Sequence, residues 1–413
     1  MRDVSLIEIN LPALDHNMRV IRSMVGPKCS ICPIVKADAY GLGAARIAKR
    51  LAHNGAEMVA VYTADQAAEL FRAVIPCRVL VLMPVREISR VDELYRGLIS
   101  DRLQLTVHDL DHLNDLLTMT ERYGVTISLH LEVDTGMSRG GCSIDDAPIL
   151  LKKIAASRRL ILAGIFTHFA SAESDVEFTN QQLAMFEKLL NEHAAFIPPN
   201  CRIHAAGSFA TMRHPRYHQR MVRVGLAWAG YGLEWMDGGE IMTAAQNLRP
   251  IVTWRSRVVH IKRIAANTPV GYGSGWTAKR NSVIGLVPVG YADGYPTNLG
   301  SRDDKPKGAS VGVILDASRS TAPVFVPVVG AVNMDQITID LTDVASLGRA
   351  IAPGTHVELI SSDPQSPNHL TTLARMAGTI PHEMLCRLNP RIKREYVLPV
   401  AQAERPVPDA IAV

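Results

Sequence analysis

The sequence predicts an α/β fold in two parts: an N-terminal (β/α)8 barrel of the TIM type over residues 1–240, then a mostly-β domain over residues 241–395 and a tail over 396–413. Three observations predict it. The first half alternates short β-rich runs with helix-like stretches. Near residue 240 the alternation stops, and β-rich runs follow one another between Gly and Pro clusters. The length of 413 residues points to two domains or one large one with an addition.

The β-rich runs of the first part are Ile31–Val35, Met58–Val61, Val79–Leu82, Leu103–Val107, Ile127–Val133, Leu160–Phe166, Arg202–Ala205 and Val222–Leu226. Between them, Gly43–Asn54 places Ile47, Ala48, Leu51 and Ala52 on one helical face. Asp109–Tyr123 does the same with Leu110, Leu113, Leu116 and Leu117, and Asp109 suits the N-cap. After the seventh run, Phe209–Pro215 has room for only a short helix. An open doubly wound sheet fits the same strand count. In the second part the runs are Val252–Ile261, Val283–Val289, Val311–Leu315, Val324–Val329, Gln336–Leu341 and His356–Ser361. The first ten or so residues are candidates to join that domain.

Composition narrows the function. An apolar share of 47% supports a sizeable core. The net charge is only +4 and no Lys/Arg block dominates a segment, so a nucleic-acid partner is not expected. The longest apolar stretches, such as Val283–Val289, are far short of a membrane span, and the start carries charges rather than an apolar core, so the expected compartment is the cytoplasm. Six cysteines are too sparse for a disulfide framework. Cys29 and Cys32 lack a second pair and read as small apolar strand residues.

In a barrel of this type, reactive groups follow the C-terminal ends of the strands. There the sequence places Lys36, Asp38 and Tyr40; Glu132, Asp134 and Arg139; His168; His204, Gly207 and Ser208; and Arg223 with Gly225. Singly, each has a dull explanation: a solvated lysine, a bonded core histidine, a structural ion pair of Glu132 with Arg139. Jointly they suggest chemistry. A lysine entering an apolar pocket can become a carbonyl-reactive amine. A Gly-Ser turn after the seventh strand and a Gly at the eighth match the fold's phosphate position. Pyridoxal 5'-phosphate (PLP) needs both. By contrast, His214–His218 has helical metal spacing but an internal Pro and no acidic base, so no metal site is read there. Gly271–Gly275 mimics a nucleotide loop outside any βαβ unit and reads as a turn.

The motifs VKADAYGLG, VDTGMSRGG, THFASAE, VRVGLAWAGYG, VGYGSGW, GYADGYP and GAVNMDQ, in this order, resemble those of the alanine racemases, from about Ile7 to Arg391. The resemblance implies a PLP enzyme that interconverts L- and D-alanine by moving the Cα proton between two bases. It implies a homodimer with shared active sites. Lys36 would carry the cofactor and act as one base; Tyr272, from the other subunit, would be the second. Tyr40, Ser208, Gly225 and the backbone of Leu226 would hold the phosphate, and Arg223 would face the pyridine nitrogen. His168 would lie beside the ring, and His204 would support Arg223. Arg139 would touch the cofactor and the substrate carboxylate. Met334 would contact substrate through its backbone, and Tyr291 would line the entrance.

Two residues depart from the family pattern. Glu132 stands where many members carry a carbamylated lysine, and its carboxylate is expected to orient Arg139 without CO₂. His382, in TIPHEMLC, replaces a tyrosine that binds phosphate and narrows the entrance. A racemase of broader or different amino-acid range therefore stands beside the alanine reading. A PLP decarboxylase on the same plan would place an acid at the pyridine nitrogen, against Arg223. A PLP carrier would lack the second domain and Tyr272.

Overall fold

The computed structural model describes residues 4–315, 322–346 and 351–398. Strand β1 (Leu6–Asn10) leads into helix Leu11–Val25, where the Asn10 side chain accepts the Ala13 N–H at 2.9 Å. The barrel follows. Its strands are β2 (Ser30–Pro33), β3 (Met58–Val61), β4 (Arg78–Pro84), β5 (Leu103–Val107), β6 (Ile127–Glu132), β7 (Leu160–Phe166), β8 (Arg202–His204) and β9 (Met221–Val224). They run in the order β2-β9-β8-β7-β6-β5-β4-β3, and every named pairing is parallel. An Ile34–Ala60 bridge joins the chain just past β2 to β3, with the Val35 N–H on the Ala60 carbonyl at 2.8 Å. The sheet closes on itself, which decides against an open doubly wound sheet.

The helices expected from periodicity are present. Ala44–His53 buries Ile47, Ala48 and Leu51. Leu110–Tyr123 is capped by Asp109, which accepts the His112 N–H at 2.7 Å; Leu113 and Leu116 are buried, while Leu110 stays exposed. The short seventh connection is the six-residue helix Ser208–Arg213. Cys29 and Cys32 are buried around β2, and burial pushes their thiols up to about 11 and about 12.

The second part holds β10 (Val252–Arg257), β11 (His260–Ile264), β12 (Pro269–Val270), β13 (Trp276–Thr277), β14 (Ser282–Val287), β15 (Ser310–Ile314), β16 (Val324–Val329), β17 (Ile337–Asp340), β18 (His356–Ile360) and β19 (Lys393–Val397). Nine strands form one sheet in the order β11-β14-β17-β16-β15-β18-β10-β1-β19. The run expected as one strand over Val252–Ile261 is two. The chain leaves β18 at Arg257 and pairs with β14 from His260, because it changes partners. The little β12–β13 hairpin and β19 are additions to the expected set.

Strand β1 does join this sheet. It lies antiparallel to β10 and parallel to β19, with Ile7 and Ile9 fully buried. At the other end of the chain β19 runs to Val397, so the tail expected from 396 begins inside a strand; residues 399–413 lie outside the described residues.

Candidate active site

The C-terminal ends of the barrel strands open into a cavity of about 980 Å³. Lys36, Tyr40, Glu132, Arg139, His168, Ser208, Arg223, Gly225, Leu226 and His382 all line it. His204 lies directly behind, bonded to Arg223. Tyr272, Tyr291 and Met334 do not line it.

Lys36 opens a turn that the sequence did not announce. Ala37, Asp38, Ala39 and Tyr40 all adopt left-handed helical angles, with φ between 51° and 59°. L-residues resist this conformation at roughly 1–2 kcal/mol each, so other groups must hold it. The Asp38 carboxylate accepts the Ala44 N–H at 2.6 Å. From β19, the Arg394 Nε–H donates to the Gly41 carbonyl at 3.1 Å, and the Tyr396 hydroxyl donates to the Leu42 carbonyl at 2.8 Å. Gly43 is required there, since a Cβ would meet the Tyr396 oxygen at 2.0 Å. The second part of the chain thus clamps the turn that presents the lysine. Burial, then the nearby Arg139 cation, lowers the Lys36 amine from its ordinary value.

At the Ser208 end of the cavity, Ser208 Oγ accepts the N–H groups of Gly225 at 2.8 Å and Ala227 at 3.2 Å. Gly225 lets Tyr40 approach: a Cβ would fall 2.3 Å from its hydroxyl oxygen. The Tyr40 ring stacks on Trp228 and meets His382 edge-on, with centroids 5.9 and 5.7 Å apart. Burial raises the Tyr40 hydroxyl, and burial with Lys36 lowers His382 to about 4, so both stay neutral at neutral pH.

Arg223 is 5% exposed. Its Nη1–H donates to His204 Nδ1 at 2.7 Å, and its Nη2–H donates to the Thr167 carbonyl at 2.8 Å and to His168 Nδ1 at 3.0 Å. Burial lowers it to about 10, so it remains a cation at neutral pH. Burial, with Arg223 next, lowers His168 to about 3 and His204 well below the ordinary imidazole value. Both are therefore neutral.

Glu132 does not take the partner expected of it. Among the described residues it makes no ion pair with Arg139; its Oε2 lies 3.1 Å from His108 Nδ1. His108 Nε2 donates to the Leu82 carbonyl at 2.9 Å, and its Nδ1 accepts the Gly141 N–H at 3.1 Å. Burial raises the Glu132 carboxyl, while His108, Arg223 and Arg139 oppose that. Its influence on Arg139 is through space. His108 was not singled out from the sequence, although it directly follows the strand run Leu103–Val107, where such residues collect. His130 and Gln104, behind His204, were missed as well. The alternation in β6 held a signal: Ser128, His130 and Glu132 share the parity that faces the barrel interior.

The donor set fits PLP. The Lys36 amine, the Tyr40 hydroxyl, the Arg139 guanidinium, the His382 ring nitrogens and Arg223 Nε belong to residues that line this one cavity, and these groups have no hydrogen-bond partner among the described residues. They would bind an aldehyde, a phosphate, a phenolic oxygen with a carboxylate, and a ring nitrogen.

The remaining three candidates form a separate exposed patch on the second part. Tyr272 is 78% exposed, Met334 54% and Tyr291 44%. Their loops are joined. The N–H groups of Tyr291 and Ala292 reach the carbonyls of Asn333 and Met334 at 3.0 Å, and Gly271 packs on Gly330–Ala331. The Gly271–Gly275 segment is a turn, as expected.

Comparison with known proteins places this arrangement. Family models described as the N-terminal and C-terminal domains of alanine racemase match residues 9–233 and 251–396. The chain is 32% identical to the alanine racemase of Methanococcus maripaludis over 94% of its own length and 98% of that protein's. The crystal structure of alanine racemase from the D-cycloserine producer Streptomyces lavendulae superposes with a TM-score of 0.82 at 26% identity, covering 97% of this chain and 98% of that one. Another, from Bartonella henselae with covalently bound pyridoxal phosphate, superposes at 0.78 with 26% identity, covering 95% and 99%. On the family models and the shared fold alike, the chain belongs to the alanine racemase family.

Proposed function

We infer that the protein is a PLP-dependent racemase that interconverts L- and D-alanine. One observation carries this reading: a lysine of lowered basicity and a buried arginine between two neutral histidines share the cavity, while the tyrosine the reaction also needs stands exposed elsewhere. Lys36 would hold the cofactor covalently. Tyr40, Ser208, His382 and the backbone at Gly225–Leu226 would hold its phosphate, with Arg223 on the ring nitrogen. Bound there, PLP supplies an electron sink that acidifies the substrate Cα–H.

The rest follows from the chain's own groups. Arg139 has its guanidinium free for the substrate carboxylate. Arg223 stays protonated and so keeps a ring nitrogen beside it unprotonated, because two positive charges there repel. A weaker sink favours proton return to Cα over side reactions. Racemisation needs a base on each face of Cα. Lys36 serves one face and would take the proton of D-alanine. No second base of the expected set lines the cavity, so Tyr272 of a second copy would serve the other face and take the proton of L-alanine. The exposed Tyr272–Met334–Tyr291 patch suits that contact, in a head-to-tail homodimer. A tyrosine ordinarily ionises near ~10, and the neutral His168, held by Arg223, can stabilise its phenolate by donating to it.

His382 favours a second reading. It sets a smaller, neutral ring where the family's tyrosine narrows the entrance, which suits a substrate range wider than alanine. Arg223 disfavours a decarboxylase. No helix of the described residues is long and apolar enough to cross a membrane. The free Cys386, exposed beside the site, suits a reducing cytoplasm. The test is a chiral assay of the purified protein on a panel of L-amino acids, with hydride reduction to locate the cofactor. D-alanine formation and a pyridoxyl group on Lys36 are expected. A protein that takes up no PLP, or carries it on another lysine, overturns the reading.

A further inference from the structure

Beneath the cavity, the polar groups of the barrel interior form one chain whose direction is set from both ends. Arginine has only donors. Arg223 Nη1 lies 2.7 Å from His204 Nδ1, so that nitrogen accepts. Neutral His204 then carries its proton on Nε2, 2.9 Å from His130 Nδ1. His130 accepts there and donates from Nε2 to Gln104 Oε1, again at 2.9 Å. At the far end stands Asp101, a carboxylate, which only accepts. Gln104 Nε2 donates to its Oδ1 at 2.8 Å, which leaves the amide one orientation. Hydrogen bonds from Ser128, Gln104 and Arg78 hold the Asp101 carboxyl below its ordinary range against the effect of burial.

The chain is built into the fold. His130 and His204 are fully buried and Gln104 is 2% exposed. Gly164 on β7 makes room for the His130 ring, since a Cβ would fall 2.3 Å from its Nδ1. Four strands, β5, β6, β8 and β9, supply one group each to carry the order from Gln104 to Arg223. Were His204 protonated on Nδ1, it would meet Arg223 donor to donor, and the guanidinium would have to turn. Arg223 Nη2 also donates to His168 Nδ1, so the same order leaves His168 offering Nε2–H to the cavity.

We propose that Gln104 and Asp101 are positioning residues for the reaction: by holding His130 and His204 in the tautomers that let His204 accept from Arg223, they keep the guanidinium placed to donate to His168 Nδ1, so that His168 presents Nε2–H to the tyrosine base. This rests on the reading that Tyr272 of a second copy faces His168, and it gives the two residues at the far end of this chain of bonds a larger share in the half of the racemisation that the tyrosine serves.

The test uses the full-length protein labelled with ¹⁵N-histidine, the signals assigned by substitution. His130 and His204 should carry their protons on Nε2 at neutral pH. Gln104→Met, similar in shape but without the acceptor oxygen, should break that order. Gln104→Glu should keep it, since the introduced carboxyl still accepts from His130. In Cα-deuterium exchange, Gln104→Met should slow the L-alanine half-reaction about tenfold or more and the D-alanine half less than about threefold, and Gln104→Glu should recover most of the loss. The proposal is overturned by an Nδ1 proton on either histidine in the unaltered protein, by signals indifferent to Gln104→Met, or by equal slowing of both halves. If the protein exchanges no amino-acid Cα proton, the racemase reading fails on its own; the tautomer order is still decided by the histidine signals.

Discussion

An amine works as a base near neutral pH only when its ammonium form is disfavoured, and burial and the Arg139 cation both shift the Lys36 amine in that direction. Glu132 is the residue whose expected partner and observed partner differ. Its carboxyl lies 3.1 Å from His108 Nδ1 and acts on Arg139 only through space. A carboxylate already in place needs no CO₂, so activity should be indifferent to bicarbonate. Glu132→Gln keeps the shape and removes the charge; kcat/KM should fall about tenfold, largely through KM, if Arg139 meets the substrate carboxylate as proposed. Steady-state kinetics with and without bicarbonate check both statements, and an unaltered KM would reduce Glu132 to a packing group. Most of the site residues were legible in the sequence because each sits beside a strand end within a distinctive motif. His108 was not, because a single histidine after a strand has no motif around it. What gives it meaning is β5 lying beside β6, a pairing that the spacing of residues does not reveal.

Among the elements, the left-handed turn at Ala37–Tyr40 and the interior row of β6 are the two with measurable signatures. The turn holds alanines in angles that favour glycine. Ala37 is exposed, so Ala37→Gly should raise stability by about 0.5–1 kcal/mol. Ala37→Val should lower it by more than about 1 kcal/mol and weaken cofactor attachment at Lys36. Urea unfolding measures the first two effects, and PLP absorbance the third. The motif VKADAYGLG shows where the turn is but not its hand, because the forces that impose it come from β19, more than 350 residues later. The β6 row has a pH signature. Burial lowers His130 from 6.5 to about 3, so as pH falls below about 6.5 the unfolded chain takes up a proton that the folded chain refuses. Stability is therefore lost toward acid. His130→Gln should flatten the decline between roughly pH 6 and 4 by about 1.4 kcal/mol per pH unit, read from urea midpoints. The alternation of β6 made its inward face readable; the linkage of His130 to His204 required the closed barrel.

On the scale of the whole molecule, the second part does two jobs. Within one chain it clamps the lysine turn and brings His382 into the cavity, and it exposes Tyr272 away from that cavity's lining. If each site is completed by a neighbour, Lys36→Ala and Tyr272→Phe subunits should each be inactive alone. Mixed and allowed to exchange, they should recover activity in about a quarter of the sites, because half the dimers are mixed and each has one site with both bases. Recovery of nothing, with exchange demonstrated by mass, would rule out shared sites. The sequence made the two-part plan plain through its change of rhythm near residue 240. It hinted that the first residues join the second part, but it concealed β19, whose five residues KREYV are mostly charged and read as a strand only once paired with β1.

The place of β1 has a consequence for the chain's synthesis. Strand β1 leaves the ribosome well before either of its neighbours, β10 and β19. Val252 comes 242 positions after Asn10 (252 − 10). At about 5–20 residues per second the nascent strand, with Ile7 and Ile9 bare, waits on the order of 10–50 s for its first partner while the whole barrel is being made. The edges it offers in that interval are open to any other unpaired strand, so newly made chains crowded on one messenger should be at their most aggregation-prone just before β10 emerges, less so afterwards, and protected on both edges only once β19 follows.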